Sequence, residues 1–478
     1  MTGLISFEEV SKHKSADSCW VVIRDTVYDV TSFLSKHPGG ARAILRLAGK
    51  DATEEFELIH PDGTLKDNMS KLTIVGQIDP ASAKPQQEPT QPKSAGSGAL
   101  PALEAQLNID DFEKTAKQTV SSKAWAYYYS ASDDLVSKVL NNTIYSKVLL
   151  RPRVFVDVTK CDTSSSIQGY KTNLPVFVSP AAMARLAHDS GERGIAQACG
   201  RQGALQMISN NASMKFEDIV ASPVDEGQKF MFQLYVQNDR AVSEQQLKRV
   251  FGTGRCAGIV LTLDAPTPGK READERIKND GATFSESSGL GGNKPPSSSE
   301  GLGKSLFAGT AADLTWKTTL PWLVKQVPRN TPIILKGVQA FEDALLAAEH
   351  PYVTGIILSN HGGRAMDSSQ PPLLVLQEIR TYAPEVFDKL EVYVDGGIRR
   401  GTDVVKALCL GAKQVGIGRA ALYSLAGYGS QGVERVLQIL REEIETTMRL
   451  LGARSIDDLG PHCINTRQLD AMLYQPKL

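Results

Sequence analysis

From residue 175 onward one pattern recurs eight times: a short, almost unbroken apolar run, then a polar or charged residue, then a stretch with helical spacing. The runs lie at residues 175–179, 205–209, 230–235, 258–264, 332–336, 355–360, 391–395 and 414–418. Unbroken apolarity marks strands covered on both faces, as in a parallel sheet, rather than strands with one wet face. Eight such strands separated by helices predict an α/β fold of the TIM (β/α)8 barrel type. Chemistry in that fold gathers at the C-terminal ends of the strands. The pattern therefore puts Ser209, Tyr235, Asp264, Lys336, His361 and Asp395 on one rim. One stretch breaks the rhythm. Residues 272–304 are rich in Gly, Ser and Pro and read as a disordered surface loop following the Asp264 strand.

The first 79 residues carry a different pattern, with short strands near 20–23 and 26–30 and an amphipathic helix over 41–49, and predict a separate small α+β domain. Residues 80–104 are dominated by Pro, Ser, Gln, Gly and Ala, cannot bury a core, and read as a flexible linker. The barrel is then expected over 105–478. A length of 478 residues agrees with more than one domain. A net charge of -1 gives no basic surface for nucleic acid or an anionic membrane. Six scattered cysteines without a CxxC pair fit free thiols in a reducing compartment. No apolar run reaches the ~20 residues of a membrane span. The N-terminus carries neither a signal core nor a transit-type segment, so the chain is expected to be soluble, intracellular and cytoplasmic; Pro476-Lys477-Leu478 is a weak relative of a peroxisomal address.

Two places carry candidate chemistry. At residues 356–364 a buried strand stops at Ser359-Asn360-His361-Gly362-Gly363-Arg364, where a His can take a proton and an Arg can hold an anion. For one such segment taken alone, a strand followed by a polar turn is the plain alternative. Asp395-Gly396-Gly397-Ile398-Arg399-Arg400-Gly401 ends the seventh strand and Gly416-Ile417-Gly418-Arg419 the eighth. Loops after strands seven and eight build phosphate sites in these barrels, and the absence of a GxGxxG opening favours a mononucleotide. In the first domain, His37 and His60 stand 23 residues apart, each beside a Pro turn. They could clamp a haem iron between them, with Leu34, Ile44, Leu47, Phe56 and Leu58 as an apolar pocket; two surface histidines are the plain alternative.

The residue strings sharpen both readings. His37-Pro38-Gly39-Gly40, the preceding residues 28–33 and Ala52-Thr53-Glu54-Glu55-Phe56 resemble the cytochrome b5 domain, which implies haem b with His37 and His60 as the axial iron ligands. Residues 359–364, 394–401, 233–236 and Tyr127-Tyr128-Tyr129-Ser130 resemble the FMN-dependent α-hydroxy acid oxidoreductases over about 105–460. Together the two parts resemble the flavocytochrome b2 family, an architecture of L-lactate dehydrogenases (cytochrome). The resemblance implies oxidation of an L-2-hydroxy acid, lactate or a relative, to the keto acid by FMN, with electrons passing through haem b to cytochrome c. An oxidase that yields hydrogen peroxide, or a non-catalytic haem electron carrier, are the alternatives.

Implied roles follow, and elementary chemistry agrees with them. His361 is the base, oriented by Asp264. Arg364, Arg271 and Tyr127 hold the substrate carboxylate, and Tyr235 its hydroxyl. Lys336 stabilises negative charge on the reduced flavin. Ser209, Gln233 and Thr262 bond the isoalloxazine edge, while the backbone at Pro180, Ala181 and Ala182 approaches it. Asp395, Gly396, Gly397, Arg399, Gly418 and Arg419 hold the ribityl phosphate. The family also implies a homotetramer and, for some members, the mitochondrial intermembrane space. Three positions depart from the family pattern. Ala131 replaces a Gly, Ala181 replaces a Thr, and Asn211, after Asn210, stands where an apolar side chain usually lines the substrate pocket. The last hints at a substrate with a polar tail.

Overall fold

The computed structural model describes residues 4–37, 41–53, 56, 65, 72–79, 82, 100–277, 302–307 and 309–476. They fall into two compact units whose boundary along the chain lies at residues 98–99.

In the first unit five strands run in the order Leu4–Ile5, Thr73–Ile78, Thr26–Asp29, Ser18–Ile23 and Lys14–Ser15. A two-residue turn joins Ser18–Ile23 to Thr26–Asp29, and Arg24 takes the left-handed conformation that such hairpins favour. Alternation sends side chains to both faces. Val22, Val27 and Ile78 pack with Phe7 and Val10 on one side. Cys19, Val21, Ile23 and Tyr28 pack with Val30 and Leu34 on the other. On that second face Phe33, Ile44, Leu47, Phe56 and Leu65 remain only partly buried. The helix expected over 41–49 is shorter, Ala41–Leu45, and gives way to turns before Gly49, which has a positive φ. His60 and Leu58 lie outside the described residues.

The second unit is the expected barrel. Its strands are β1 (Val176–Val178), β2 (Gln206–Ile208), β3 (Phe230–Leu234), β4 (Cys256–Thr262), β5 (Ile333–Val338), β6 (Gly355–Leu358), β7 (Glu391–Asp395) and β8 (Gln414–Ile417). Each overlaps one of the eight apolar runs. All eight pair in parallel, and β8 returns to β1 to close the barrel. Phe177, Met207, Met231, Val260, Ile334, Ile357 and Tyr393 fill its interior together with Ile167. Ile167 belongs to the hairpin Ser165–Ile167 and Tyr170–Thr172, which covers the N-terminal end of the barrel.

Three helices frame the opposite end, and a fourth follows β1. Helix α1 (Ile109–Thr119) starts on Asn108, whose side chain caps the Asp111 N–H, with Asp110 and Asp111 in the first turn where the helix dipole favours them. Its buried Ile109, Phe112 and Ala116 follow helical spacing. Then come α2 (Ser122–Tyr129), α3 (Val136–Thr143) and, after β1, α4 (Gly191–Gln202). The end of the expected linker is more ordered than its composition predicts. Leu103–Ala105 forms a 3-10 turn, and the Pro101 carbonyl accepts the Tyr428 hydroxyl at 2.7 Å, which gives these residues a fixed partner.

Candidate active site

A cavity of about 560 Å³ opens at the C-terminal end of the barrel. Its substrate-sized end is built on the turn after β6. His361, Gly362 and Gly363 all have positive φ (59°, 65° and 75°). Glycine accepts this region freely, whereas His361 does so at a cost of order 1 kcal/mol, a strain typical of working residues. The turn is held because the Ser359 hydroxyl accepts the His361 N–H at 3.0 Å and the Asn360 carbonyl accepts that of Gly363 at 3.0 Å. The result aims the imidazole into the cavity.

His361 Nδ1 lies 2.9 Å from Asp264 Oδ1, and its Nε2 lies 3.4 Å from the Tyr235 hydroxyl. Burial pushes the imidazole below its ordinary value, and the Asp264 carboxylate only partly restores it. Asp264 is fully buried, which would raise its carboxyl, but the His361 and Lys336 partners outweigh burial and hold it low. A carboxylate at Nδ1 fixes the proton there, so the free lone pair is on Nε2, facing the cavity. Burial likewise pushes the Tyr235 phenol well up, keeping it a donor. Lys336 comes from within β5. Its Nζ donates to Ser359 Oγ at 2.9 Å and stands 3.6 Å from Asp395 and 3.9 Å from Asp264. Burial would neutralise it, but these two carboxylates win and keep the ammonium charged.

Arg364 lies over the Tyr127 ring, 4.7 Å from its centroid, and donates Nη2 to the Tyr127 carbonyl. Arg271 is buried beside it and donates Nε to the Arg364 carbonyl at 3.3 Å. Burial and the neighbouring Arg364 charge lower Arg271 to about 10, still cationic at neutral pH. Two guanidiniums facing one cavity suit a carboxylate.

The remaining space fits a flavin. Gln233 Nε2 and Thr262 Oγ1 are buried polar atoms with no hydrogen-bond partner among the described residues, and both residues line the cavity. Gln233 Oε1 accepts from Ser209 Oγ and from the Asn210 N–H. Unpartnered buried donors and hydroxyls cost free energy unless a ligand satisfies them. Pro180, Ala181 and Ala182 line the wall beside them. At the far end Gly396 (φ 106°) and Gly397 (φ 81°) bring backbone to the surface, and a Cβ on Gly397 would overlap the Asn141 carbonyl oxygen.

The arginines at that end are arranged differently from the sequence expectation. Arg399 lines the cavity, but its guanidinium is ion-paired with Asp110 and Glu113 of α1. Arg419 donates to the carbonyls of Tyr128, Gly362 and Ser130, tying the α2 end to the His361 turn. Asn211 also has protein partners. Its Nδ2 donates to the Leu306 carbonyl at 3.1 Å and its Oδ1 accepts from Asn210.

Sequence reading missed several supporting groups. Asn141 and Asn360 exchange reciprocal amide bonds of 2.7 and 2.8 Å, tying α3 to the His361 turn. Glu192 of α4 is buried, which raises its carboxyl, and it accepts from the Ala184 and Ser213 N–H groups and the Ser213 hydroxyl. It thereby joins the loops after β1 and β2. In the first unit, His37 follows the 3-10 turn Thr31–Lys36 with its ring edge-on to Phe33, next to the incompletely covered apolar face. Partly buried apolar side chains beside an imidazole are the kind of lining a haem needs.

Fold and cavity define a class: a β/α-barrel oxidoreductase holding a mononucleotide at its strand ends, preceded by a small unit built for haem. Within that class the chain belongs to the FMN-dependent dehydrogenase family, which it matches over residues 116–466, with a cytochrome b5-like heme/steroid binding domain over residues 6–79. It is an oxidoreductase acting on CH–OH donors, with FMN and haem b as cofactors. It is 40% identical to the L-lactate dehydrogenase (cytochrome) of Saccharomyces cerevisiae over 98% of this chain and 80% of that one. The enzyme of the same name from Wickerhamomyces anomalus is 39% identical over 97% of this chain and 80% of that one. Spinach glycolate oxidase is 38% identical over 74% of this chain and 94% of its own. Among solved structures, the flavin-binding domain of baker's yeast flavocytochrome b2 superposes with a TM-score of 0.69 at 38% identity, covering 79% of this chain and 91% of that one.

Proposed function

We propose that the protein oxidises an L-2-hydroxy acid, lactate or a close relative, to the 2-keto acid and passes the electrons to cytochrome c. The His361–Asp264 pair, with Nε2 free beside the Tyr235 hydroxyl, carries this reading. When bound, FMN would supply the acceptor for the electron pair and the second hydrogen, and haem b, for which His37 and His60 would be the ligands, would supply single-electron transfer.

Everything else falls to side chains. Arg364 and Arg271, with Tyr127, hold the substrate carboxylate and fix which hydrogen faces the flavin. Tyr235 donates to the substrate hydroxyl oxygen. His361 Nε2 takes a proton from the CH–OH group, and Asp264 stabilises the imidazolium that results. Lys336 keeps a positive charge under the place where electron density rises. Gln233, Thr262 and Ser209 bond the ring edge, and Pro180, Ala181 and Ala182 flank it. Asp395, Gly396, Gly397 and Gly418 carry the ribityl phosphate end. Arg399 and Arg419 serve the phosphate if Arg399 exchanges its acidic partners for it. Asn211 adds a polar wall that favours a substrate with a polar side chain.

We assign residues 1–79 to the haem domain, 80–104 to the linker and 105–478 to the flavin barrel. The exposed Val154, Phe155 and Val156 support self-association, for which a homotetramer is our proposal. No helix among the described residues is long and apolar enough to cross a membrane. The cytoplasm and the mitochondrial intermembrane space both suit this chemistry.

Stopped-flow mixing with a panel of L-2-hydroxy acids tests the reaction. Flavin absorbance should bleach first and haem reduction follow; a flavin left oxidised by every acid overturns the proposal. The 38% identity to spinach glycolate oxidase favours a second reading, in which oxygen accepts the electrons. Undiminished oxygen consumption in His37→Ala would select that reading.

A further inference from the structure

The Arg271 side chain, whose Nε donates to the Arg364 carbonyl, is 4% exposed and shares the cavity with a second guanidinium. It lies at the junction between two short helices, α5 (Glu272–Arg276) and α6 (Leu302–Ser305). Asp274 of α5, 3% exposed, accepts the Gly303 N–H of α6 at 2.7 Å on its Oδ2. A Cβ built on Gly303 would stand 2.5 Å from Arg271 Nη1 and 3.1 Å from Asp274 Oδ2. The guanidinium, the carboxylate and the bare backbone of Gly303 therefore meet at one point. Only a residue without a Cβ lets the α6 backbone lie against the guanidinium. Arg364 repels the Arg271 charge and Asp274 favours it.

The same α6 segment reaches other groups of the cavity. Leu306 accepts from Asn211 Nδ2, and the Phe307 ring meets Tyr235 with centroids 5.3 Å apart. The Arg271 guanidinium thus has a wall behind it, a counter-charge beside it, and the cavity in front.

We propose that Asp274 is a positioning residue: by holding Gly303 against the Arg271 guanidinium and balancing the paired arginine charges, it fixes Arg271 facing the cavity for a substrate carboxylate. This rests on the reading of Arg271 as a carboxylate holder. Asp274 touches neither substrate nor reacting atoms, so its loss should weaken anion binding and spare the proton transfer at His361.

The test uses the FMN- and haem-loaded full chain and oxalate, a non-reacting dianion, titrated by the flavin absorbance change. Asp274→Asn removes the charge at constant shape, and Gly303→Ala pushes on Nη1 from the other side. Both should raise the oxalate Kd and the KM for the best hydroxy acid about tenfold, worth about 1.4 kcal/mol, and leave kcat within about threefold. Asp274→Glu should recover part of the loss. An oxalate Kd within twofold of the parent in either flavin-retaining variant, tighter oxalate binding, or a fall in kcat at unchanged KM overturns the assignment. If Asp274→Asn fails to retain FMN, Gly303→Ala decides alone. A parent chain that binds oxalate but bleaches with no hydroxy acid would count against the proposed reaction and leave the Asp274 result readable.

Discussion

At the scale of single residues, the base role proposed for His361 requires it to be neutral, and two forces set when that is. Burial lowers its pKa and Asp264 pulls it back up, with burial ahead. The rate should therefore fall on acidification, with the acid limb of kcat/KM below the ordinary imidazole value of 6.5. Lys336 is held above its ordinary value, so it should contribute no basic limb under 10.5. Asp264→Asn removes the group that raises the imidazole and fixes its tautomer. It should move the acid limb lower still and cut kcat by roughly 10²–10⁴-fold, as should His361→Gln without any titrating limb. A pH–rate series on the three proteins measures both effects; an Asp264→Asn limb that moves upward contradicts the assignment. The place of these two residues on the rim was legible because each follows an apolar run, and strand ends point at the rim whatever the tertiary details. Glu192 was not, since its partners Ala184 and Ser213 become neighbours only when β1 and β2 pair. Nor was the Arg399 pairing with Asp110, which joins positions 289 residues apart.

At the scale of elements, the barrel was readable from hydrophobic pattern because parallel strands covered on both faces need apolar residues at every position. Short helices and their attachments were less so. The helix Ala41–Leu45 stops earlier than its amphipathic pattern suggests, and the turns that replace its last residues are set by Gly49 packing against Ser11. Attachment of α3 to the active-site turn rests on the Asn141–Asn360 amide pair. Asn141→Ala removes both amide bonds to the buried Asn360, which keeps only the Gln370 carbonyl and the Gly363 N–H. It should cost about 1–3 kcal/mol of barrel stability in urea unfolding, with kcat lowered more than KM because the His361 turn loses its brace. Gly397→Ala should be more severe for cofactor than for fold. A side chain at Gly397, a residue already at positive φ, must displace the Asn141 carbonyl of α3, so FMN should be lost on gel filtration while the far-ultraviolet spectrum persists.

At the scale of the whole molecule, the chain divides into units with separate cores, and each cofactor should stabilise only its own. Ligand at 100 times its Kd adds about 2.7 kcal/mol to the unit it binds. Adding FMN to the stripped protein should therefore raise the barrel transition by several degrees and leave the haem-unit transition where it was. Equal shifts of both transitions would mean that the units unfold together. The same independence gives the reaction its sharpest dissection. His37→Ala removes one of the proposed iron ligands without touching the cavity that holds His361. Substrate should still bleach the flavin, because every group assigned to that half of the reaction lies in the barrel. Cytochrome c reduction should collapse, because the single-electron relay is gone. Cytochrome c reduced by His37→Ala at the parental rate would show that electrons leave from the flavin directly, and the first unit would then need a different purpose.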